Sequence, residues 1–511
     1  MNGPRSYNAA NDFVDRNVER GYGEKLAFIE GQNRLTYGAL QIATNKMVNV
    51  LESLGIGREA RVAMLMLDTV EFPIVYWGAV RAGVVPVCLN TLLTTDQYKY
   101  MLNDSRVEAL FVSAAQLPLV EPLFSQMEAL QQIVVVGGDG QDYPNLQTLL
   151  DAAASTATTA DTCSDETAFW LYSSGSTGVP KGVCHVQTSP MYVAENYGVN
   201  VLGIQHDDIC FSAAKLFFAY GYGAGMAIPM SVGATTVLLS GRPTPQSVLD
   251  TLKTHSPTLF FGVPTLYAAM LADSDCQPEN SSNQLRCCIS AGEALPEDVG
   301  KTWSARMGVD ILDGIGSTEM LHVFLSNSPG DVKYGTSGKE IPGYKLRLVD
   351  ESGAEVGVDE IGELLVSGGS AADGYWNQRA KSRATFAGEW THTGDKYTRD
   401  AEGYYHYCGR TDDMFKVAGR WVSPFEVEQA LVSHPNVLEA AVVAHDDGDE
   451  LIKPKAFVVL NDGVSTEGMF EALKEHVKKA VGPWKYPRWI DFVEELPKTA
   501  TGKIQRFKLR S

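Results

Sequence analysis

The segment YSSGSTGVPKG, residues 172–182, concentrates glycines and small hydroxyl residues beside a lysine. Glycines allow several backbone N–H groups to converge on one anion, and serine and threonine hydroxyls add further donors. We therefore predict a phosphate-binding loop. Its candidate residues are Ser173, Ser174, Gly175, Ser176, Thr177, Gly178 and Lys181. From composition alone, a flexible surface linker is the alternative.

The same segment departs from the P-loop pattern G-x-x-x-x-G-K-[ST]. Counting from Gly175, the fifth following residue is Pro180, and Gly182 stands after Lys181 where the pattern needs a hydroxyl for Mg²⁺. A kinase or GTPase of that class is therefore disfavoured. Residues 169–172 predict a short buried strand, so we expect the loop to follow a strand end, as ligand sites in α/β proteins often do.

The bulk composition restricts the class of protein. A chain of 511 residues exceeds one compact core, so two or more domains are expected. The formal net charge of -20 argues against binding to nucleic acid or to an anionic membrane, and requires local cations around any anionic substrate. The N-terminus has no apolar segment typical of a signal peptide, and the eight cysteines form no C-x-x-C pair. Reduced thiols and a cytoplasmic location are the simplest interpretation.

Helical and strand patterns alternate over the first part of the chain. Thr36 can cap a helix, and a strand at residues 62–67 is followed by a helix through residues 75–80 and a strand at residues 84–89. A similar pattern recurs between residues 234 and 263. This βαβ pattern predicts a layered α/β fold with a largely parallel sheet.

Further along, the pattern changes to short β segments at residues 344–349 and 361–366, which predict a smaller β-rich region. A new helix is expected to start at Ser423, which heads a capping box with proline at the first helical position. We predict a large, multi-subdomain α/β N-terminal domain with this β-rich region, residues 1–411, and a small α+β C-terminal domain, residues 412–511.

Six motifs occur in a fixed order along the chain. They are YSSGSTGVPKG (172–182), SAGEALP (290–296), GIGSTE (314–319), THTGDKY (391–397), GRTDDMFKVAG (409–419) and PKTATGKIQR (497–506). With them the chain resembles the superfamily of adenylate-forming enzymes, which includes acyl-CoA synthetases, adenylation domains of peptide synthetases and beetle luciferases. The resemblance covers nearly the whole chain, and the ordered set is far more specific than any single motif.

The resemblance implies a two-step reaction. A carboxylate attacks the α-phosphate of ATP to give an acyl-adenylate and pyrophosphate, and a thiol then displaces AMP. Because a carboxylate and a polyphosphate repel each other, the site must supply cations and hydrogen-bond donors. The implied cofactors are ATP, Mg²⁺ and CoA, and the loop from Ser173 to Lys181 would hold the β- and γ-phosphates.

The resemblance also assigns the nucleotide site. Thr318 would contact the α-phosphate, and Glu319 would hold Mg²⁺ together with Thr177. Asp395 would accept the ribose hydroxyls, assisted by Arg410. The residues expected around the adenine are Gly292, Glu293, Ala294, Asp313, Gly314, Ile315 and Gly316. Of these, Ile315 replaces the aromatic residue usual in the family.

The tail LPKTATGKIQR has the composition of a solvated basic terminus. The resemblance instead implies that Lys503 bridges the α-phosphate and the acyl carboxylate during adenylation. Asp412 matches a hinge at which the mobile C-terminal domain would then rotate. That rotation would present Lys416 and the following residues to a thiol channel, where Gly419 would leave room for a pantetheine arm.

The acyl pocket is expected in AAKLFFAYGYGAG, residues 213–225, and just after Glu319. Its predicted lining residues are Phe218, Ala219, Tyr220, Gly221, Tyr222 and His322. Dense aromatic side chains suit a flat apolar acid, although the same rings could be ordinary core. No acidic residue occurs from Phe211 to Ile228, so the ammonium of an amino-acid substrate would be unmatched and such substrates are disfavoured.

KLFFAYG, GIGSTEMLH and KVAGRWVSPFEVE resemble benzoate–CoA ligases and relatives that act on hydroxybenzoates and cyclohexane carboxylates. We therefore expect an AMP-forming carboxylic acid:CoA ligase that activates benzoate or a related aryl or cyclic carboxylate. Two alternatives stay open: an adenylation enzyme that loads an aryl acid onto a carrier protein, and a medium-chain fatty acyl–CoA ligase. An inactive homologue is disfavoured because Lys503, Glu319 and Asp395 are present. The expected state is a monomer or homodimer without nucleic-acid or membrane partners.

Overall fold

The computed structural model describes residues 5–138, 142–174, 179–417, 420–446, 452–482, 484–498 and 504–510. The chain divides into two compact units. The first comprises Met1–Lys345 and Val366–Thr391, and the second Leu346–Leu365 and His392–Ser511. The predicted border at residue 412 and the predicted mobility of the C-terminal domain stay predictions.

The strands, in chain order, are β1 (Leu26–Glu30), β2 (Asn33–Thr36), β3 (Arg61–Leu65), β4 (Val85–Cys88), β5 (Ala109–Ser113), β6 (Gln132–Val136), β7 (Thr167–Ser174), β8 (Pro180–Val186), β9 (Ile209–Ser212), β10 (Thr235–Leu238), β11 (Leu259–Gly262), β12 (Cys287–Ser290), β13 (Ile311–Gly316), β14 (Val323–Ser326), β15 (Lys339–Glu340), β16 (Lys345–Val349), β17 (Gly362–Ser367), β18 (Gly374–Tyr375), β19 (Phe386–Ala387), β20 (Trp390–Arg399), β21 (Tyr405–Arg410), β22 (Phe415–Val417), β23 (Arg420–Val422), β24 (Val437–Asp446), β25 (Ile452–Leu460) and β26 (Trp489–Phe492).

The helices are α1 (Tyr37–Ser53), α2 (Glu71–Arg81), α3 (Thr95–Ser105), α4 (Leu117–Val120), α5 (Leu146–Ala152), α6 (Ser189–Val193), α7 (Ala219–Tyr222), α8 (Ile228–Val232), α9 (Pro245–His255), α10 (Pro264–Ala272), α11 (Glu297–Met307), α12 (Arg379–Thr385), α13 (Pro424–Val432) and α14 (Met469–Val481). Shorter π-helical and 3₁₀ segments cover Asn11–Asp15, Val18–Tyr22, Glu121–Gln126, Ala194–Val199, Gly223–Ala227, Pro278–Asn280 and Arg506–Lys508.

Two sheets form the framework of the first unit. Within the described residues, one has the order β15-β14-β13-β12-β11-β9-β10-β1-β2 and the other β18-β8-β7-β4-β3-β5-β6. The central strands of each run parallel. Antiparallel strands stand at both edges of the first sheet and at the β18 edge of the second, whereas the other edge strand, β6, is parallel to β5. Buried aliphatic and aromatic side chains from both sheets and their helices form separate cores. The α/β architecture predicted from the alternating pattern is confirmed.

Local sequence signals set several element ends. The hydroxyl of Thr36 accepts a hydrogen bond from the amide of Ala39, which caps α1 as predicted. Helix α2 and its flanking strands β3 and β4 form the predicted βαβ unit, since β3 and β4 run parallel. Helix α13 starts after Ser423, whose hydroxyl accepts from the amide of Glu426. The carboxylate of Glu426 lies 2.6 Å from Lys485.

The glycine-rich loop joins two antiparallel strands rather than a strand and a helix. Strands β7 and β8 pair along their length, and Ser173 stands opposite Lys181 at the end of the hairpin. The loop therefore follows a strand end, as predicted, but its lysine belongs to the returning strand. A lysine in an extended strand has its side-chain direction fixed by the pleat, unlike one in a surface linker.

The second unit contains the β-rich region and the C-terminal α+β part. Strands β16, β17 and β20 are neighbours, with β21 pairing to β20. This pairing places residues 346–365 with the strands that follow residue 391. Nearer the C-terminus, β24 and β25 are antiparallel, β26 adds in parallel, and the helices α13 and α14 bury apolar side chains in the same core.

The cysteines and the helices bear on the environment of the chain. All eight cysteines are free thiols; Cys163 and Cys408 are half-buried and the other six are buried. Burial raises the pKa of Cys184, Cys287 and Cys408 to about 12. In the described part of the chain, no helix has both the length and the apolar character that crossing a membrane requires.

Candidate active site

A carboxylate, a phenol and an ammonium group meet beside the glycine-rich hairpin. The hydroxyl of Tyr375, on β18, donates to Oε1 of Glu319 over 2.8 Å. Nζ of Lys181 lies 3.2 Å from the same hydroxyl and 3.5 Å from Oε1 of Glu319. Ser173 donates more weakly to Glu319, over 3.4 Å. The structure therefore brings together Ser173 and Lys181 of one motif and Glu319 of another, and it adds Tyr375, which the sequence did not predict.

This arrangement suits the binding of a polyphosphate with a divalent cation. Lys181 supplies positive charge, and its ammonium group balances the negative charge of Glu319. A single carboxylate that supplements phosphate oxygens is the donor set that Mg²⁺ prefers in proteins. The residues present therefore fit the metal predicted from the motifs.

Some predicted residues lie outside the described part of the chain. They are Gly175, Ser176, Thr177 and Gly178 of the loop, Gly419 and Lys503. Ser174 ends strand β7. The roles predicted for these residues stay predictions.

The two motifs expected around the adenine lie side by side. Strands β12 and β13 run parallel, with Ser290 opposite Asp313, and SAGEALP continues from the end of β12. Gly292 has a φ of +96°, so the turn after β12 needs the backbone freedom of glycine. Glu293 and Ala294 follow in this turn and are half-buried. The amide of Leu295 donates to Oδ2 of Asp313 over 3.3 Å.

Asp313 is a buried carboxyl group with unused hydrogen-bonding capacity. Its Oδ1 has no hydrogen-bond partner among the described residues. Burial raises the pKa of Asp313 to about 8, although the Leu295 amide opposes the shift. A buried polar atom of this kind is costly unless a ligand or water satisfies it. It therefore fits an adenine, whose amino group and ring nitrogens offer both a donor and acceptors.

The remainder of β13 has a tightly constrained backbone. Gly314, Ile315 and Gly316 pair with β14, and Ile315 is half-buried. A Cβ atom on Gly316 would lie 2.4 Å from the carbonyl oxygen of His322. Glycine is therefore required there for two backbone segments to approach each other.

In the second unit, the two residues assigned to the ribose form an ion pair. Asp395 on β20 stands opposite Arg410 on β21, and Nη1 of Arg410 donates to Oδ1 of Asp395 and to the carbonyl of Thr393, each over 2.9 Å. Asp395 is buried, and its negative charge is the main factor that raises the pKa of Arg410 above its usual value. The two residues are therefore in contact, and their role toward the ribose stays a prediction.

The residues assigned to the hinge and thiol channel lie a few positions further on. Asp412 is exposed in the turn that follows β21. Lys416, on β22, lies 3.0 Å from Glu351 and 4.5 Å from the centre of the Trp421 ring. These contacts within the second unit give Lys416 partners, and its role toward a thiol stays a prediction.

The stretch predicted to form the acyl pocket contains α7 and packs against His322. Nε2 of His322 donates to the carbonyl of Tyr220 over 3.2 Å, and the hydroxyl of Tyr220 is within 3.2 Å of the carbonyls of Gly262 and Ile289. A Cβ atom on Gly223 would lie 2.1 Å from the His322 ring. Burial lowers the pKa of His322 to about 4, so its imidazole is neutral near pH 7.

The other predicted pocket residues differ in their surroundings. Phe218 precedes α7, with its ring 4.5 Å from that of Phe217. Ala219 and Gly221 are buried, and a Cβ on Gly221 would lie 2.0 Å from the carbonyl of Lys215. The Tyr222 ring lies in the core, where its hydroxyl bonds that of Tyr76 over 3.0 Å. The ring of Tyr222 thus has the surroundings of a core side chain.

The buried residue Asp68 contacts the segment that leads into α7. Asp68, which follows β3, accepts from the amide of Leu216 at 3.2 Å and lies 4.0 Å from Nζ of Lys215. Burial raises the pKa of Asp68 to about 6, and the nearby ammonium group opposes this shift. The ammonium of Lys215 also donates to the carbonyls of Leu239 and Gly241. Sequence reasoning missed Asp68 because the contact joins segments 148 residues apart.

Comparisons with known proteins agree with these motifs. The pattern of the family "AMP-binding enzyme" matches residues 14–376, and that of "AMP-binding enzyme C-terminal domain" matches residues 426–503. A 4-hydroxybenzoate–CoA/benzoate–CoA ligase of Rhodopseudomonas palustris is 56% identical over 508 residues, 99% of this chain and 94% of that protein. A benzoate–CoA ligase of Thauera aromatica is 54% identical over 511 residues, 99% of this chain and 96% of that protein.

A solved structure has the same fold over its full length. The benzoate CoA ligase from Burkholderia xenovorans superposes with a TM-score of 0.91 at 47% identity, covering 99% of this chain and 100% of that one. The chain therefore belongs to the AMP-binding enzyme family, as its motifs predicted. Within that family it is an acid–thiol ligase that forms AMP.

Proposed function

We propose that this ligase activates benzoate or a closely related aryl or cyclic carboxylate with Mg-ATP and transfers the acyl group to CoA. The observation that carries the proposal is the 56% identity, over 99% of the chain, to a ligase named for 4-hydroxybenzoate and benzoate. The proposed place of the reaction is the cytoplasm, and the proposed state is a monomer or homodimer.

The α7 region offers no unpaired charge from His322 or Asp68, which supports a substrate with an uncharged ring. His322 is neutral near pH 7, and the nearby carboxylate of Asp68 is adjacent to Lys215 and the amide of Leu216. An amino-acid ammonium would therefore meet a group that is already engaged. An aryl ring is compatible with the dense aromatic side chains of this stretch, whereas the carboxylate of the acid would need the cations of the phosphate site.

Each part of the nucleotide has its own proposed set of contacts. Lys181 would meet phosphate oxygens, with Glu319 supplementing the Mg²⁺ coordination, which neutralises phosphate charge when the ion is bound. The buried Oδ1 of Asp313 would accept a hydrogen bond from the adenine amino group. The carboxylate of Asp395, oriented by Arg410, suits two ribose hydroxyls.

The second half-reaction would follow rotation of the C-terminal domain at Asp412. Asp412 lies between the two regions matched by the family patterns, residues 14–376 and 426–503, and stands exposed in a turn. Hinge residues are commonly such positions at the end of an element. In this proposal Lys503 acts in adenylation and is withdrawn before CoA reacts.

The decisive experiment measures pyrophosphate release with Mg-ATP over a panel of acids, with and without CoA. The panel holds benzoate, hydroxybenzoates, aminobenzoates, cyclohexane carboxylate, hexanoate and phenylalanine. The proposal expects fast CoA-dependent turnover on one or more ring acids and negligible turnover on phenylalanine.

Two results would favour the alternatives. Activity with hexanoate alone would identify a fatty acyl–CoA ligase and would make the aromatic residues of the α7 stretch ordinary core. Acid-dependent pyrophosphate release that CoA does not accelerate would point to a carrier protein as the acceptor. Detection of the acyl-CoA product by mass spectrometry separates the last case from slow release of AMP.

A further inference from the structure

In the turn that carries Thr318 and Glu319, three successive backbone carbonyl groups accept hydrogen bonds from other segments of the chain. The carbonyl of Glu319 accepts from the amide of Ala372 over 2.8 Å, and that of Met320 accepts from the hydroxyl of Ser370 over 2.8 Å. Both donors lie in the segment that precedes β18. The carbonyl of Thr318, the residue before Glu319, accepts a hydrogen bond from a side chain on strand β8.

That side chain is His185, on β8. Its Nε2 lies 2.8 Å from the carbonyl oxygen of Thr318. A carbonyl can only accept, so Nε2 carries the proton and the ring is the Nε2–H tautomer. Its ring stacks on Phe169 of the neighbouring strand, with centroids 5.2 Å apart. Nδ1 is buried without a partner among the described residues, as expected for the nitrogen that has no proton.

The ring of His185 is a permanent neutral donor near pH 7. Its side chain is fully buried, and burial lowers its pKa to about 4. The bond to Thr318 and the charge of Glu319 oppose that shift without overcoming it. The imidazole that donates to Thr318 is therefore uncharged near pH 7.

The turn needs such support because its backbone is strained. Leu321, three residues after Thr318, has a φ of +69°, a conformation that residues with a side chain rarely adopt. Strain of this kind persists only where the surrounding structure fixes it. The amide of Leu321 donates to the same Thr318 carbonyl over 3.1 Å, so His185 acts on the bond that closes the turn.

Strand β8 connects this contact to the phosphate site. Lys181 and His185 are four residues apart on one strand, so their side chains leave the same face of the sheet. One strand thus places the ammonium of Lys181 beside Glu319 and the imidazole of His185 on the carbonyl of Thr318. This strand therefore sets the position of the Lys181 ammonium relative to that of the His185 imidazole.

We propose that His185 is a positioning residue for adenylation, which holds the carbonyl of Thr318 so that the Thr318 hydroxyl and the Glu319 carboxylate face the phosphates of ATP. The inference rests on the proposed function. It assigns His185 no contact with substrate. Its effect would be confined to the half-reaction in which the phosphates react.

The test compares three variants of the full-length enzyme, with the acid that the wild type activates fastest. His185→Gln places an amide N–H where Nε2 was, His185→Asn is one bond too short, and His185→Met fills the space without a donor. We expect His185→Met and His185→Asn to lower kcat for pyrophosphate formation about tenfold or more, and His185→Gln to stay within about threefold of wild type. KM for the acid and thioester formation from supplied acyl-adenylate should change much less.

Several results would overturn the proposal. Equal losses for His185→Gln and His185→Met would mean that the donor is irrelevant. Lower melting temperatures with an unchanged kcat at 20 °C would mean that the residue only stabilises the fold. If His185→Met is insoluble, the kcat values of His185→Gln and His185→Asn are compared instead, and equal losses again overturn the proposal. If the wild type is active and all three variants keep its kcat for pyrophosphate formation, only the role of His185 is refuted. If the wild type is inactive on every acid, the proposed function is refuted as well.

Discussion

Asp395 and Arg410 stand opposite each other on antiparallel strands, and the guanidinium of Arg410 donates to the carboxylate of Asp395 over 2.9 Å. The same guanidinium nitrogen also donates to the carbonyl of Thr393. Because a second contact fixes the guanidinium, the carboxylate is held in one orientation before any ligand binds. Such preorganisation reduces the entropy lost on binding.

The first prediction concerns Asp395→Asn. The amide has one acceptor oxygen instead of two and leaves Arg410 without its ion pair, so we expect KM for ATP to rise about tenfold or more, with KM for the acid unchanged. Pyrophosphate release at varied ATP measures this. Asp491→Asn is the control, since Asp491 forms an exposed pair with Lys455. An unchanged KM for ATP would contradict the assignment to the ribose.

The second prediction concerns Tyr375→Phe. The hydroxyl of Tyr375 bonds both Lys181 and Glu319, and its loss would let their ion pair tighten and compete with Mg-ATP. We expect kcat/KM for ATP to fall about tenfold. Tyr143→Phe is a matched control, because Tyr143 also bonds a glutamate, Glu121, at the surface. Equal effects of the two substitutions would show that the position of Tyr375 does not matter.

The third prediction concerns Gly223→Ala. In a helical segment alanine would normally add about 1 kcal/mol of stability. Here the new methyl group would lie 2.1 Å from the buried ring of His322, and overpacking of this kind costs about 1–3 kcal/mol. We expect net destabilisation and a lower kcat/KM for the acid, measured by chemical denaturation and by pyrophosphate release. Gly57→Ala, with open space around it, should be neutral.

The fourth prediction concerns Lys503→Ala. If Lys503 stabilises the charge that develops during adenylation, its loss should slow pyrophosphate formation about a hundredfold and spare thioester formation from supplied acyl-adenylate. Lys498→Ala removes a nearby lysine that pairs with Glu439 and should leave both half-reactions intact. A similar loss in both half-reactions would refute the proposed role of Lys503.

The fifth prediction concerns stability at acid pH. Burial lowers the pKa of both His185 and His322 from 6.5 to about 4. Between these values the unfolded chain binds more protons than the folded one, so the free energy of unfolding falls as pH drops from 6.5 toward 4. Each histidine should contribute a loss of about 2 kcal/mol between pH 7 and 5.

Urea unfolding of wild type and His322→Gln at pH 7, 6 and 5 measures this loss. The variant should show a shallower pH dependence. Asp68 and Asp313, whose pKa values burial raises, act in the opposite direction, so the comparison with a variant is needed to isolate the histidine. Identical slopes for the two proteins would contradict the prediction.

Local patterns in the sequence predicted the elements well. The cap at Thr36, the βαβ unit around α2 and the helix after Ser423 follow from capping residues and periodicity. The order of the motifs predicted the family, whereas the roles of the nucleotide-site residues stay predictions. These signals succeed because they depend on neighbours along the chain or on motifs held in order.

Contacts between distant segments could not be predicted in this way. Tyr375, Asp68 and His185 reach Glu319, Leu216 and Thr318 across 56, 148 and 133 residues. Each is an ordinary tyrosine, aspartate or histidine in its local sequence. The antiparallel return of the glycine-rich loop was missed for the same reason, since only strand pairing shows that β8 lies beside β7.

The burial of the cysteines affects how the protein can be labelled. Each thiol is at least half-buried, and limited access slows the reaction of a thiol with maleimides and disulfides. A single cysteine introduced on an exposed face of α14 would therefore be the most reactive thiol in the molecule. A fluorophore attached there could follow the C-terminal domain through a turnover without first removing any native cysteine.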